Sequence, residues 1–138
     1  MFDTEIYNDG ELIVGKMSGV IEPHSFINGI FWQIDCRNVG EVKENFSQLY
    51  YDHDVERITV TEKDIERIAE INTGTGIGVN IGRFRTALVL SHPEIIRLAK
   101  FHQMLAKKHG YEVEIFDKLE TGFAWLEYDN PDPGLIKL

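Results

Sequence analysis

Cysteine is nearly absent: Cys36 stands alone, so no internal disulfide can form and no CxxC pair offers a metal knuckle or redox centre. A reducing, cytoplasmic setting is the expectation. Cations are scarce as well. Fourteen Lys and Arg face 23 Asp and Glu, and the net charge of −9 repels nucleic-acid phosphates and anionic headgroups, leaving basic or neutral partners. No uncharged apolar run approaches the ~20 residues of a membrane span. The opening Met1-Phe-Asp-Thr-Glu has no basic stretch ahead of an apolar one, so neither a secretory signal nor membrane insertion is expected.

The usual signatures of catalysis and cofactor binding are missing too. Ser18, Ser25, Ser47 and Ser91 lie outside any Gly-x-Ser-x-Gly elbow, and Cys36 has no basic neighbour except Arg37. The glycine-rich stretch Gly74-x-Gly76-x-Gly78-x-x-x-Gly82 lacks the Gly-Lys-Ser/Thr ending of a phosphate loop. It also follows a helix and precedes a strand, the reverse of the dinucleotide fingerprint. It reads as a connection or as a flap over a pocket, with Arg83 and Arg85 at its exit. No cofactor is implied.

What is present is an alternation of strands and helices over a length suited to one domain, 138 residues. Glu5-Ile-Tyr and Leu12–Met17 flank Asn8-Asp-Gly, a pair of strands around a tight turn. From Pro23, Phe26, Ile27, Ile30, Phe31 and Ile34 recur at helical spacing. Phe46–Tyr51 reads as a strand that ends at a solvated cluster, Asp52-His53-Asp54. Thr61-Glu-Lys-Asp64 has the form of a capping box opening a helix with Ile65, Ile68 and Ala69 on one face.

Thr86–Ser91 is a buried strand, and Pro93–Lys108 is a helix closed by Gly110 in the left-handed region. Tyr111–Phe116 alternates as a strand, and Asp117-Lys-Leu-Glu120 reads as a second capping box before a short helix ending at Leu126. The order is ββαβαβαβα: a single α/β domain over residues 1–128, with about five strands in a mixed sheet, helices packed on it, and a tail over 129–138 read as a frayed end in preference to a docking arm.

Arg85-Thr-Ala-Leu-Val-Leu-Ser, Leu98-Ala-Lys-Phe-His-Gln-Met-Leu-Ala, Val113-Glu-Ile-Phe-Asp-Lys-Leu-Glu and Ala124-Trp-Leu, taken in this order, resemble the small bacterial SpoIIAA-like (STAS/SEC14-type) domains. The resemblance implies a SpoIIAA/STAS-like fold and interaction ahead of catalysis. In the anti-sigma-factor antagonists of that fold, an Asp-Ser-Ser-Gly motif carries the phosphorylated residue. The corresponding stretch here, residues 54–64, lacks it. Thr61 is the one candidate for a phospho-switch, at a helix N-terminus where backbone N–H groups favour an anion. Glu62 and Asp64 beside it oppose the added charge, and the plain reading is a capping hydroxyl.

His102 lies in the stripe Ile95, Leu98, Ala99, Leu105 and Ala106, where it reads as a core histidine with a satisfied hydrogen bond or as a group responsive to ligand. Ile96 and Met104 fall on the opposite, polar side as candidates for an interaction surface. The leading expectation is a non-enzymatic regulatory or interaction domain that contacts a protein partner or a second copy as a homodimer. The alternative is a carrier for a small apolar, lipid-like ligand, with Phe26, Phe31 and Trp32 of the first helix and Phe101 and His102 of the third lining a pocket under the glycine-rich flap. A weaker alternative is an enzyme acting through His102 or Asp52–Asp54. No catalytic residue and no metal ligand is assigned, because strand neighbours such as Asp52, His53 and Asp54 point to opposite faces.

Overall fold

Asn8, Asp9 and Gly10 all take positive φ (54°, 54° and 90°), which turns the chain tightly between β1 (Phe2–Tyr7) and β2 (Leu12–Ile21). The two strands pair antiparallel, with Tyr7 opposite Leu12. Gly10 is required twice over: a side chain there would be strained by the positive φ and would strike the Glu41 carbonyl. The computed structural model describes residues 2–74, 85–132 and 134.

From β2 the chain proceeds by three crossovers. These run through α1 (Pro23–Asn38) to β3 (Ser47–Ile58), through α2 (Glu62–Gly74) to β4 (Arg85–Val89), and through α3 (Pro93–His109) to β5 (Glu112–Phe116). Strands β2 to β5 are parallel, and the sheet order is β1-β2-β3-β4-β5. Crossovers of one hand that always step the same way along a sheet must place every connecting helix on the same face. Accordingly α1, α2 and α3 share one core with Ile13, Met17, Phe46, Tyr50 and Val113.

The opposite face is left to α4 (Leu119–Leu126), whose Leu119, Phe123 and Leu126 pack on Leu12, Val14, Leu49, Ala87 and Val89. The expected order ββαβαβαβα and the mixed five-stranded sheet are both observed.

Several expectations are corrected. Strand β3 does not stop at Asp52 but continues to Ile58, paired with the far end of β2 across register shifts near Gly19. In its second half Asp54, Glu56 and Arg57 are exposed while His53, Val55 and Ile58 are half-buried, so the charge there marks exposed positions of a continuing strand rather than a strand end. The second capping box does not form. Helix α4 starts at Leu119 with Lys118 before it and no side-chain cap.

The first capping box does form. The Thr61 N–H donates to Asp64 Oδ2 at 2.8 Å, and the Asp64 N–H donates back to Thr61 Oγ1 at 3.3 Å. Gly110 closes α3 with φ 89°. Ahead of the tail, Tyr128 packs against the α4 core, and at its start Asp132 lies close enough to Tyr51 to add to the burial that raises its phenol pKa. The glycine-rich 75–82 stretch and Arg83 lie outside the described residues, as does the end of the tail. No helix among the described residues is long and apolar enough to cross a membrane.

Candidate functional site

Between the three-helix layer and the sheet lies a cavity of about 120 Å³. Helix α1 contributes Phe26, Ile30 and Gln33, α2 contributes Ile65 and Ile68, and α3 contributes Leu98, Ala99 and His102. The sheet supplies Met17 from β2, Gln48 and Tyr50 from β3, and Thr86 and Leu88 from β4.

The strand period of two decides which side chains face this cavity. Phe46, Gln48 and Tyr50 point to the helical layer while Leu49 and Tyr51 point to α4. Gln48 and Thr86 are neighbours in the parallel register, so Gln48 Nε2 donates to Thr86 Oγ1 at 2.9 Å. From α1 above, Gln33 Nε2 donates to Gln48 Oε1 at 2.6 Å and to the Tyr50 hydroxyl at 2.9 Å. Gly15 makes the last contact feasible: it is the register partner of Tyr50, and a Cβ there would fall on the Tyr50 ring. The result is a buried, uncharged polar ladder, Gln33–Gln48–Thr86 with Tyr50, in a wall of aliphatic side chains.

Burial pushes the Tyr50 phenol up to about 12, so it keeps its proton throughout the physiological range. Burial lowers His102 to about 4, so its ring is neutral there. The His102 ring is half-buried and tilted against the Tyr111 ring, 5.9 Å between centroids. Its Nδ1 is sealed from solvent with no hydrogen-bond partner among the described residues, which corrects the reading of a satisfied core histidine.

Of the pocket residues expected from sequence, Phe26 and His102 line the cavity. Phe31 is 52% exposed, and Trp32 and Phe101 are half-buried outside the lining. The buried face of α1 carries Ile30, Gln33 and Cys36, a stripe rotated away from Phe31. Sequence reasoning missed Gln33, Gln48, Tyr50 and Thr86. A signal was present: Gln48 sits between Phe46 and Tyr50 at an inward position, and Gln33 follows Ile30 at helical spacing. Of the two interaction-surface residues, Met104 is 59% exposed, but Ile96 is half-buried and packs on the core.

Asp52 is the second unexpected polar group. It is 1% exposed, not solvated as a strand-end cluster would be. Its carboxylate accepts from Ser91 N at 2.9 and 3.1 Å, Ser91 Oγ at 3.0 Å and His92 N at 2.9 Å. It therefore clamps the turn that leads from β4 into α3. His53 pairs instead with Asp54 at 3.1 Å. Among the described residues no three His, Cys, Asp or Glu side chains converge as metal ligands.

Thr61 is exposed at the head of α2, and its Oγ1 lies 2.9 Å from Asp64 Oδ2. A phosphate there would have to displace that carboxylate. Cys36 is buried, and burial, followed by Glu41, raises its thiol pKa, so little thiolate is available.

No protein-family model and no curated protein matches this chain. Among solved structures it is similar to an uncharacterised protein of the DUF3478 family with a SpoIIAA-like fold, from Shewanella loihica PV-4. The two share 9% identity and superpose with a TM-score of 0.57 over 91% of this chain and 93% of that one. At that identity the likeness speaks for architecture alone. The chain has a SpoIIAA-like fold.

Proposed function

We propose that this protein is a non-enzymatic binding domain that holds one small apolar molecule between its helical layer and its sheet. The observation that carries the reading is the cavity of about 120 Å³ with a buried ladder of amides and hydroxyls along one wall. Pockets that recognise small molecules have this composition, mostly apolar with a few convergent polar groups. The groups lining it are bonded to one another or neutral, and none forms a nucleophile–base pair among the described residues.

This favours the carrier reading over the interaction-domain reading. Half-burial of Ile96 leaves Met104 as the exposed one of the two expected surface residues, and single exposed apolar residues are ordinary on a monomer. A cytoplasmic setting belongs to the same proposal.

Native mass spectrometry of protein purified gently from cells tests it. The expected spectrum shows added mass on the order of 100 daltons, a benzene-sized occupant for a cavity of this class. That mass should be absent from an Ala99→Leu variant, whose added methyl groups fill the void. A bare dimer from the wild type, unchanged by Ala99→Leu, would overturn the proposal in favour of a self-association domain.

A further inference from the structure

The polar wall of the cavity has unused hydrogen-bonding capacity of a particular kind. Gln33 is buried and both N–H groups of its amide are committed, one to Gln48 Oε1 and one to the Tyr50 hydroxyl. Its own Oε1 accepts no bond among the described residues. Tyr50 Oη accepts from Gln33, and its proton is given to no described residue. The wall thus offers an acceptor and, beside it, a hydroxyl donor. A guest that both donates and accepts at one atom satisfies the pair, and a hydroxyl group does so.

Charge narrows the guest further. No Lys, Arg, Asp or Glu among the described residues lines the cavity, so an ionised carboxylate or ammonium would lie there without a counter-charge. Size sets the rest: at about 120 Å³ the cavity is of the same order as the roughly 150 Å³ apolar cavity that admits benzene, which limits the guest to about one ring.

Resting on the binding reading above, we propose that the cavity recognises a neutral, single-ring-sized molecule carrying a hydroxyl group. The hydroxyl sits on Gln33 and Tyr50, and the ring sits among Ile30, Ile65, Leu98 and Ala99. The chemical class is that of a simple phenol or cyclic alcohol.

The test is a titration of the wild-type protein, followed by NMR, with p-cresol, toluene, 4-methylbenzoate and 4-methylbenzylamine, which share a ring and differ in the polar group. p-Cresol is expected to bind at least about fivefold more tightly than toluene, the equivalent of one net hydrogen bond. The two ions are expected to bind at least about tenfold more weakly than p-cresol. Gln33→Met should remove the preference for p-cresol while leaving toluene binding intact. The wild-type panel decides the matter even if that variant fails to fold.

Toluene binding as well as or better than p-cresol would overturn the hydroxyl inference and leave the binding reading standing. Tightest binding by either ion would overturn the inference of a neutral guest. Failure of all four to bind a folded wild-type protein would overturn both this inference and the binding reading.

Discussion

His102 ties the cavity to acid stability, and the size of the effect follows from the structure. The ring is neutral when folded because burial lowers its pKa to about 4 from its ordinary 6.5. The unfolded chain therefore takes up a proton at a pH where the folded chain refuses it. The sign follows: this contribution to stability is complete above the unfolded pKa and is lost as pH falls toward the folded one.

Each tenfold difference in proton affinity is worth about 1.4 kcal/mol, so the whole separation amounts to about 3 kcal/mol, of which about 2 is gone by about pH 5. Carboxylates titrate in the same region. The comparison that isolates His102 is thus wild type against His102→Leu, by urea unfolding at about pH 7.5 and pH 5 with Trp32 and Trp125 as fluorescent reporters. Because Leu leaves no unpartnered buried nitrogen, the variant should be at least as stable as wild type at the higher pH. It should gain about 2 kcal/mol relative to wild type at the lower. A gap between the two proteins that stays constant across this range would refute the reasoning, since it would mean that the ring titrates alike in both states.

Asp52→Ala removes the acceptor of two backbone N–H groups and a hydroxyl at the entrance to α3, and the urea midpoint should fall by the equivalent of about 3 kcal/mol or more. Asp52→Asn, which keeps one carbonyl oxygen, should fall by roughly half as much. Thr61→Ala takes the cap from α2 and should cost about 1 kcal/mol, read as a fall in Tm of a few degrees. In α4, a Cβ on Gly122 would lie 2.9 Å from Val89 and 3.0 Å from Leu49. Gly122→Ala should therefore destabilise by about 1–3 kcal/mol despite the better helix propensity of alanine, and a rise in Tm would contradict the packing described for the α4 face.

The architecture was legible in the sequence wherever period and punctuation agreed. Asn8-Asp-Gly announced a hairpin, Pro93 and Gly110 bracketed α3, and Thr61 with Asp64 marked the head of α2. Reading failed where polarity was taken for exposure. Asp52 is charged yet buried, because three local donors replace its water, and nothing in its own neighbourhood of sequence reveals donors 39 and 40 residues away. Helix α1 misled in the opposite sense. Its aromatic residues lie on both sides, so Phe31 was assigned inward and Gln33 was passed over. The pocket was therefore foreseen as a kind of site but, apart from Phe26 and His102, built from the wrong residues.

The polar ladder is the least economical part of this core, and that is why it bears on function. Three buried side chains of Gln33, Gln48 and Thr86 meet where aliphatic residues of similar size would pack without any requirement for partners. Hydrogen bonds between neutral groups contribute about 1 kcal/mol each once their desolvation is counted, so the ladder adds little net stability over an apolar filling. It also restricts neighbouring positions. Gly15 must stay without a side chain so that the Tyr50 ring can lie across β2 and bring its hydroxyl to Gln33. A fold stabilised mainly by Ile13, Phe46, Leu49 and Phe123 does not need this arrangement to hold its strands in register. What the ladder does supply is direction inside a cavity whose other walls are mostly aliphatic and aromatic. A guest bound by apolar contact alone could turn freely, whereas one bonded to Gln33 and Tyr50 has a single preferred orientation.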